Sequence, residues 1–413
     1  MHRPGARALF TFALVTALGG RAGSPAVAQQ VLVTRQVAID SALARGPRLG
    51  IARADTAVAS AQLRAAREWP NPGLATTYSK AVPQYHVLVD FPLEYPWVRS
   101  NRTSAAQAAR TASLYRFAFE RAAIALDADT SYTRAVNARA RALLSERNAR
   151  DADSLRRLAV LRRDAGDASD LEVELATINA GQQANAAAAD SLALVVALLG
   201  LQATMGIGGE QPVITVPDSL EPPPAPVATD PPGVPLQVAA AEQALASAEL
   251  GLRLARRSVF GAPSIAAGLE TGDPTGSEPG ILPTVGLTLP LPLFNQNRGA
   301  IAQAEAERER SRAEVALVRL AAQTQISRAT RERDNALAKV ERDRALLGSA
   351  IRVADMALTG YREGASTLVN VLEAQRAARD IRAQYLDDLA AAWTAISSLK
   401  LFSLVTSTAG AQP

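Results

Sequence analysis

Histidine occurs only at His2 and His86 and cysteine is absent from the 413-residue sequence. That excludes multi-histidine and thiolate metal centres and leaves nothing from which to assemble an imidazole-based triad. The remaining chemistry is carboxylate: 40 Asp and Glu stand against 44 Lys and Arg. Most are scattered among small apolar residues, the pattern of solvated helix faces. Asn370 and Glu373 are different, because they are three apart, share a helix face and follow the turn at Gly364. Glu172 and Glu174 occupy the comparable stretch after Gly166. Such groups can line a charged constriction but do not make a catalytic site. The chain is therefore expected not to be an enzyme and to need no cofactor and no metal.

The elements that position these residues are read most directly from proline. None of the 24 Pro lies between Trp97 and Gln211 or between Leu293 and Gln412, so two stretches of over a hundred residues lack the strongest helix breaker. Between them, residues 207–232 carry eight Pro and read as a linker. The flanking halves are duplicated. Phe91-Pro92-Leu93 corresponds to Leu289-Pro290-Leu291, Arg102 and Gln107-Ala108 to Arg298 and Gln303-Ala304, and Gly166 through Leu171 to Gly364 through Leu368. Each half spells a helix, two short strands, a very long helix, a glycine turn and a shorter helix. These fall near 36–68, 73–93, 98–163 and 168–204 in the first half, and near 234–259, 264–291, 297–362 and 366–400 in the second. A seam stepping by four and three, Ala322, Ile326, Ala329, Arg333, Ala336, Val340, Asp343, Leu347, Ala350, Ala354 and Ala357, marks the second long helix as a coiled-coil partner.

The ends of the chain define the compartment. Arg3 and Arg7, an apolar stretch from Ala8 to Leu18, and Ala26-Val27-Ala28 have the order of a secretory leader, with cleavage expected after Ala28. Removing residues 1–28 leaves 41 basic against 40 acidic residues, a net +1. No basic cluster follows, so nucleic acid is excluded as a partner. No Cys is present to accept a lipid anchor. No run of about eighteen apolar residues exists, so any membrane crossing must be made by strands. Strand alternation suits that: Val87, Val89, Phe91 and Leu93 alternate with His86, Leu88, Asp90 and Pro92, and Val285, Leu287, Leu289 and Leu291 with Thr284, Gly286, Thr288 and Pro290. Eight of the eighteen aromatics (Trp69, Tyr78, Tyr85, Phe91, Tyr95, Trp97, Phe260, Phe294) sit at or beside these strands. Four strands cannot close a barrel, so the chain must oligomerise; two copies would supply eight strands and three would supply twelve.

The run Leu289-Pro290-Leu291-Pro292-Leu293-Phe294-Asn295-Gln296-Asn297-Arg298-Gly299, followed by Ala302-Gln303-Ala304, Gly360-Tyr361-Arg362-Glu363-Gly364-Ala365-Ser366 and Val371-Leu372-Glu373-Ala374-Gln375, resembles the TolC-like outer-membrane efflux proteins, with some similarity to their cobalt-zinc-cadmium branch. The resemblance implies a mainly α fold with a small membrane β part: a homotrimeric α-helical coiled-coil barrel continuing into a 12-stranded β-barrel. The residues themselves set the boundaries 1–28 signal peptide, 29–206 first repeat, 207–232 linker, 233–400 second repeat and 401–413 tail, and the resemblance implies that linker and tail form a belt at the equator. The implied function is an outer-membrane duct, most of it periplasmic, for small molecules or metal ions driven by an inner-membrane pump through a periplasmic adaptor. The alternatives are a periplasmic adaptor itself or a structural coiled-coil protein without a pore. Residue by residue, the resemblance puts Glu373, Asn370, Tyr361, Glu172 and Glu174 at the constriction, with Asn370 replacing an acid of the family and Ser366 an arginine. The turns at Gly166, Ala168, Ser169, Gly364, Ala365 and Ser366 end the longest helices farthest from the strands and are expected to dock the adaptor, and the matched strand-to-helix motif is Pro290, Pro292, Phe294, Asn295, Arg298 and Gly299. In the first half, Glu94-Tyr95-Pro96-Trp97-Val98 makes that junction two residues longer.

Overall fold

The structure, a computed structural model, describes residues 31–224, 233–276 and 280–406. The leader with its cut after Ala28, linker residues 225–232 and tail residues 407–413 lie outside them.

Absence of proline and abundance of Ala let the chain run as two very long helices. α3 (Pro96–Asp164) has 69 residues and α6 (Arg298–Arg362) has 65, about 104 and 98 Å at 1.5 Å per residue. α4 (Asp170–Thr204) and α7 (Leu368–Phe402), 35 residues each and about 53 Å long, fold back along the halves of α3 and α6 that lie farthest from the strands. Along the other half of α3 lie α2 (Pro47–Arg67) and α5 (Leu236–Arg257), α5 also touching α6. Of the seam residues, Ala322, Ala329, Ala336 and Val340 are buried. Small residues there allow close helix approach, while i,i+4 pairs such as Arg310–Glu314 and Arg328–Glu332 hold the solvated faces. One expected helix is divided: instead of a single helix over 36–68 there are α1 (Arg35–Arg45) and α2, broken at Gly46-Pro47. The residue before a proline is driven out of helical geometry, and Gly46 sits at ψ 126°.

The strands form one antiparallel sheet in the order β2 (Gly73–Tyr78), β3 (Tyr85–Pro92), β5 (Ser264–Thr271), β6 (Leu282–Thr288). β3 and β5 join the two halves in register from Tyr85↔Thr271 to Pro92↔Ser264. β2 and β6 are open edges within the chain. β6 stops at Thr288 rather than near 291, because Pro290 and Pro292 have no N–H to continue a ladder.

Linker and tail are held at the middle of the long helices. β1 (Val31–Leu32) pairs in parallel with β4 (Ile214–Thr215), and Val405 bridges Pro235. Linker residues Ile214, Val216 and Leu220 enter a core with Tyr132 and Val136 of α3, Leu198 and Leu201 of α4, and Leu389 and Ala392 of α7. Arg35 fastens this region, stacking on Trp393 at 3.9 Å while pairing with Asp129.

Candidate functional site

Two places gather the singled-out residues, one at each end of the long helices. At the hairpin end, Gly166 (φ 85°) and Gly364 (φ 76°) reverse the chain in the left-handed region that glycine adopts without a Cβ penalty. Both turns close as Schellman motifs: the Asp167 amide donates to Arg162 O at 2.8 Å and the Ala365 amide to Gly360 O at 2.7 Å. Ser169 and Thr367 then cap α4 and α7, accepting from the amides of Glu172 and Asn370. Ser366 is thus not the cap; its Oγ lies 3.5 Å from Asn370 Nδ2. Ala168 and Ala365 lie in the same two turns.

Tyr361 is 1% exposed beneath these turns. Its ring packs with Leu155, Ala159, Val173, Leu368 and Val371, its hydroxyl donates to Glu172 Oε2 at 3.1 Å, and the Arg162 guanidinium lies 4.5 Å from the ring centre. Arg162 also donates to Tyr361 O at 2.5 Å. Burial, then the Glu172 hydrogen bond, pushes the Tyr361 hydroxyl above its usual range, so it stays protonated. The α3/α4 and α6/α7 hairpins are therefore clasped by an arginine on α3, a carboxylate on α4 and a tyrosine on α6. Sequence reasoning missed Arg162; its only signal is an Arg in the last turn before a C-cap glycine, which is too common to single out.

Glu373 and Asn370 are exposed on α7, and Glu174 is exposed on α4 without joining the clasp. Glu373 borders a groove of about 520 Å³ among α3, α4 and α7, shared with Arg141, Asp190, Arg376, Arg379 and Asp380. Burial lowers the Arg379 guanidinium from its usual range. Arginines beside Glu373 offset its charge, so the groove carries both signs.

At the other end the motif residues build the junction. Asn297, at φ 59°, adopts the left-handed conformation that Asn tolerates, and starts α6. Its Nδ2 donates to Ala255 O at the end of α5 at 2.7 Å, and its amide donates to Asn295 Oδ1 at 3.0 Å. Arg298 donates to Gln296, and Pro290 lies against Gly261, where an added Cβ would come within 3.0 Å of the ring. Pro292 is half-buried, Gly299 is exposed, and Phe294 is 100% exposed. In the first half the two extra residues are helical. Pro96 starts α3, and Arg102 in its second turn forks onto Glu94, itself 7% exposed, and onto Ala66 O and Glu68 O.

The sheet presents its apolar residues outward: Leu74, Val87, Phe91, Ile265, Leu269, Val285 and Leu287 are exposed, Val285 by 79%. His86, Leu88, Asp90, Ser264, Ala266, Glu270 and Thr284 on the other face are half-buried. Aromatics flank the strands at both ends. Tyr78 and Tyr85 meet at 5.3 Å at the distal hairpin, while exposed Trp69, Trp97, Phe260 and Phe294 lie at the helix end, with Tyr95 stacked on Trp97 at 4.8 Å. An exposed apolar band between two aromatic rims is the surface a lipid bilayer covers.

Residues 235–402 match the family model described as outer membrane efflux protein. Solved structures of low sequence identity share the fold of this chain over most of its length. CusC, described as changing conformation on folding and transmembrane channel formation, superposes with TM-score 0.75 at 19% identity over 94% of this chain and 95% of that one. The VceC outer membrane protein of Vibrio cholerae gives 0.73 at 17%, covering 89% and 96%, and the CmeC outer membrane channel of Campylobacter jejuni gives 0.72 at 16%, covering 89% and 85%. No curated protein matches the chain. Among the described residues no group of three or more His, Asp or Glu is placed to hold a metal ion.

Proposed function

We propose that this protein is the outer-membrane channel of a tripartite efflux system, a passive duct through which an inner-membrane pump, acting through a periplasmic adaptor, expels small molecules or ions. The observation that carries this reading is the sheet: four strands with an exposed apolar face, aromatic rims and two open edges stand at the end of a helical body about 100 Å long. Open edges are not tolerated in lipid, so β2 of one copy pairs with β6 of the next. Three copies close twelve strands, as the resemblance implies, and the long helices then surround a periplasmic tunnel. A leader over residues 1–28 exports the chain, and the homotrimer holds the membrane through its barrel.

The hairpin tips form the entrance. The Arg162–Tyr361–Glu172 clasp keeps each copy's two hairpins together, Glu373 and Asn370 of three copies ring the constriction, and the turns at Gly166 and Gly364 receive the adaptor. Linker residues 207–232 and the tail form a belt at the equator. Light scattering of detergent-extracted outer membranes tests the assembly: a particle of three mature chains with pore conductance in planar bilayers is expected. A monomeric, non-conducting particle overturns the channel and returns the reading to a structural coiled-coil protein.

A further inference from the structure

Where the helical body meets the strands it carries unpaired positive charge. Arg64 and Arg67 near the end of α2, Arg99 in the first turn of α3, and Arg253 and Arg257 near the end of α5 form no ion pair among the described residues. Of the acids at this end, Glu94 is held by Arg102 and Glu305 by Arg256, while Glu68 and Glu249 are exposed. Arg67 and Arg99 open onto a groove of about 700 Å³ between α2, α3 and α5, whose other polar lining is uncharged and includes Ser104, Gln107 and Gln243. On α5, Gln243, Ala246 and Leu250 of that lining continue at helical spacing to Arg253, nearer the strands.

Arginines at the C-terminal ends of α2 and α5 complement the helix dipoles and need no ligand to explain them. Arg99 is different, because it stands at the positive end of α3, where a cation is disfavoured. One of its nitrogens donates to Arg67 O at 2.8 Å, its Nε is buried without an acceptor, and its guanidinium lies 4.4 Å from the ring centre of Trp69. Trp69 is 62% exposed and belongs to the aromatic rim at the helix end of the sheet. An indole in such a rim lies at headgroup level, so the stacking holds Arg99 there, with Arg67 two residues before Trp69. The group at that level which guanidinium N–H forks match is the phosphate of a phospholipid.

We infer that Arg67 and Arg99, flanked by Arg64 and Arg253, bind the headgroup of an anionic phospholipid in the leaflet facing the helical body. A zwitterionic lipid offers the same phosphate but adds a cation, and no carboxylate lines the groove to neutralise it. The site therefore prefers phosphatidylglycerol to phosphatidylcholine. This inference rests on the membrane reading above.

The test is quenching of tryptophan fluorescence in the full-length protein, reconstituted in phosphatidylcholine vesicles that contain a minor fraction of brominated phosphatidylglycerol or the same fraction of brominated phosphatidylcholine. Trp69 and Trp97 lie at the rim, whereas Trp393 lies against Arg35 at the middle of the long helices, so lipid quenching reports the rim. Wild type is expected to be quenched more strongly by the brominated phosphatidylglycerol, and Trp69→Phe removes most of that difference. A basic residue near an anionic lipid surface contributes about fivefold in affinity. Arg67→Gln, whose side chain makes no hydrogen bond or ion pair among the described residues, is therefore expected to cut the preference about fivefold. Arg331→Gln, at an exposed position midway along α6, leaves it unchanged. Equal quenching of wild type by the two lipids, or an Arg67→Gln preference equal to that of wild type, overturns the lipid site and leaves the membrane reading standing. Quenching by neither lipid overturns both.

Discussion

Replacing Tyr361 by Phe removes one oxygen atom and nothing else from the clasp between the hairpins. The ring still fills its place among Leu155, Val173, Leu368 and Val371, and the Arg162 guanidinium still lies over it. What is lost is the hydroxyl hydrogen bond to Glu172 Oε2. A hydrogen bond to a charged group contributes about 1.5–3 kcal/mol, and the half-exposed Glu172 carboxylate can regain water, which places the loss near ~1.5 kcal/mol. That is roughly a tenfold shift in the clasped-to-unclasped ratio of each copy. In single-channel recordings, Tyr361→Phe is expected to raise the probability of the open or wide state about tenfold if one clasp limits opening, and more if the three act together. Glu172→Ala should act similarly. The double variant should fall well short of the sum of the two free energies, because both singles break the same bond. Unchanged gating in Tyr361→Phe, or fully additive effects, would refute the clasp as a gating contact.

Three further outcomes follow from particular contacts. Gly268→Ala should prevent recovery of assembled trimers from outer membranes, since its Cβ would collide with Val87 O, whereas Gly286→Ala on β6, with its nearest neighbour 3.7 Å away, should assemble normally. Asp343 interrupts the helical seam and faces buried Asp388, which also meets Lys339 and Gln384. Burial first, then the hydrogen bond to Asp388, raises the Asp343 carboxyl above its usual range, so the folded state holds a proton that the unfolded state releases. Stability from this group is present at low pH and lost as pH rises through the raised value. Asp343→Asn should therefore raise the melting temperature near pH 8 but not near pH 4. Glu373→Ala should alter block of the pore by multivalent cations from the periplasmic side, a modest change because Arg376 and Arg379 border the same groove; identical block would remove Glu373 from the entrance.

Much of the architecture was legible because its signals are local. Missing prolines over 98–211, a glycine four residues beyond Arg162 and again four beyond Gly360, and the period-two alternation in Val87–Phe91 each act within a turn or a strand. The same logic located the places where reading along the chain erred. Gly46-Pro47 divides a helix whose apolar periodicity continues through it, and Pro290 ends a strand whose alternation runs on to Leu291. In both cases backbone chemistry overrode the side-chain pattern.

The sequence by itself determined the lengths of the two long helices, the duplication, the turns at Gly166 and Gly364, and an apolar face on each strand, because these depend on near neighbours and on what proline and glycine permit. Only the tertiary structure decided which strands meet, that Tyr361 is buried in a clasp with Glu172 and Arg162, and that His86 faces Glu270. Those contacts span 189 residues between Tyr361 and Glu172 and 199 between Arg162 and Tyr361. They are set by the register of β3 on β5 and the packing of one hairpin on another, so no local pattern in the sequence encodes them.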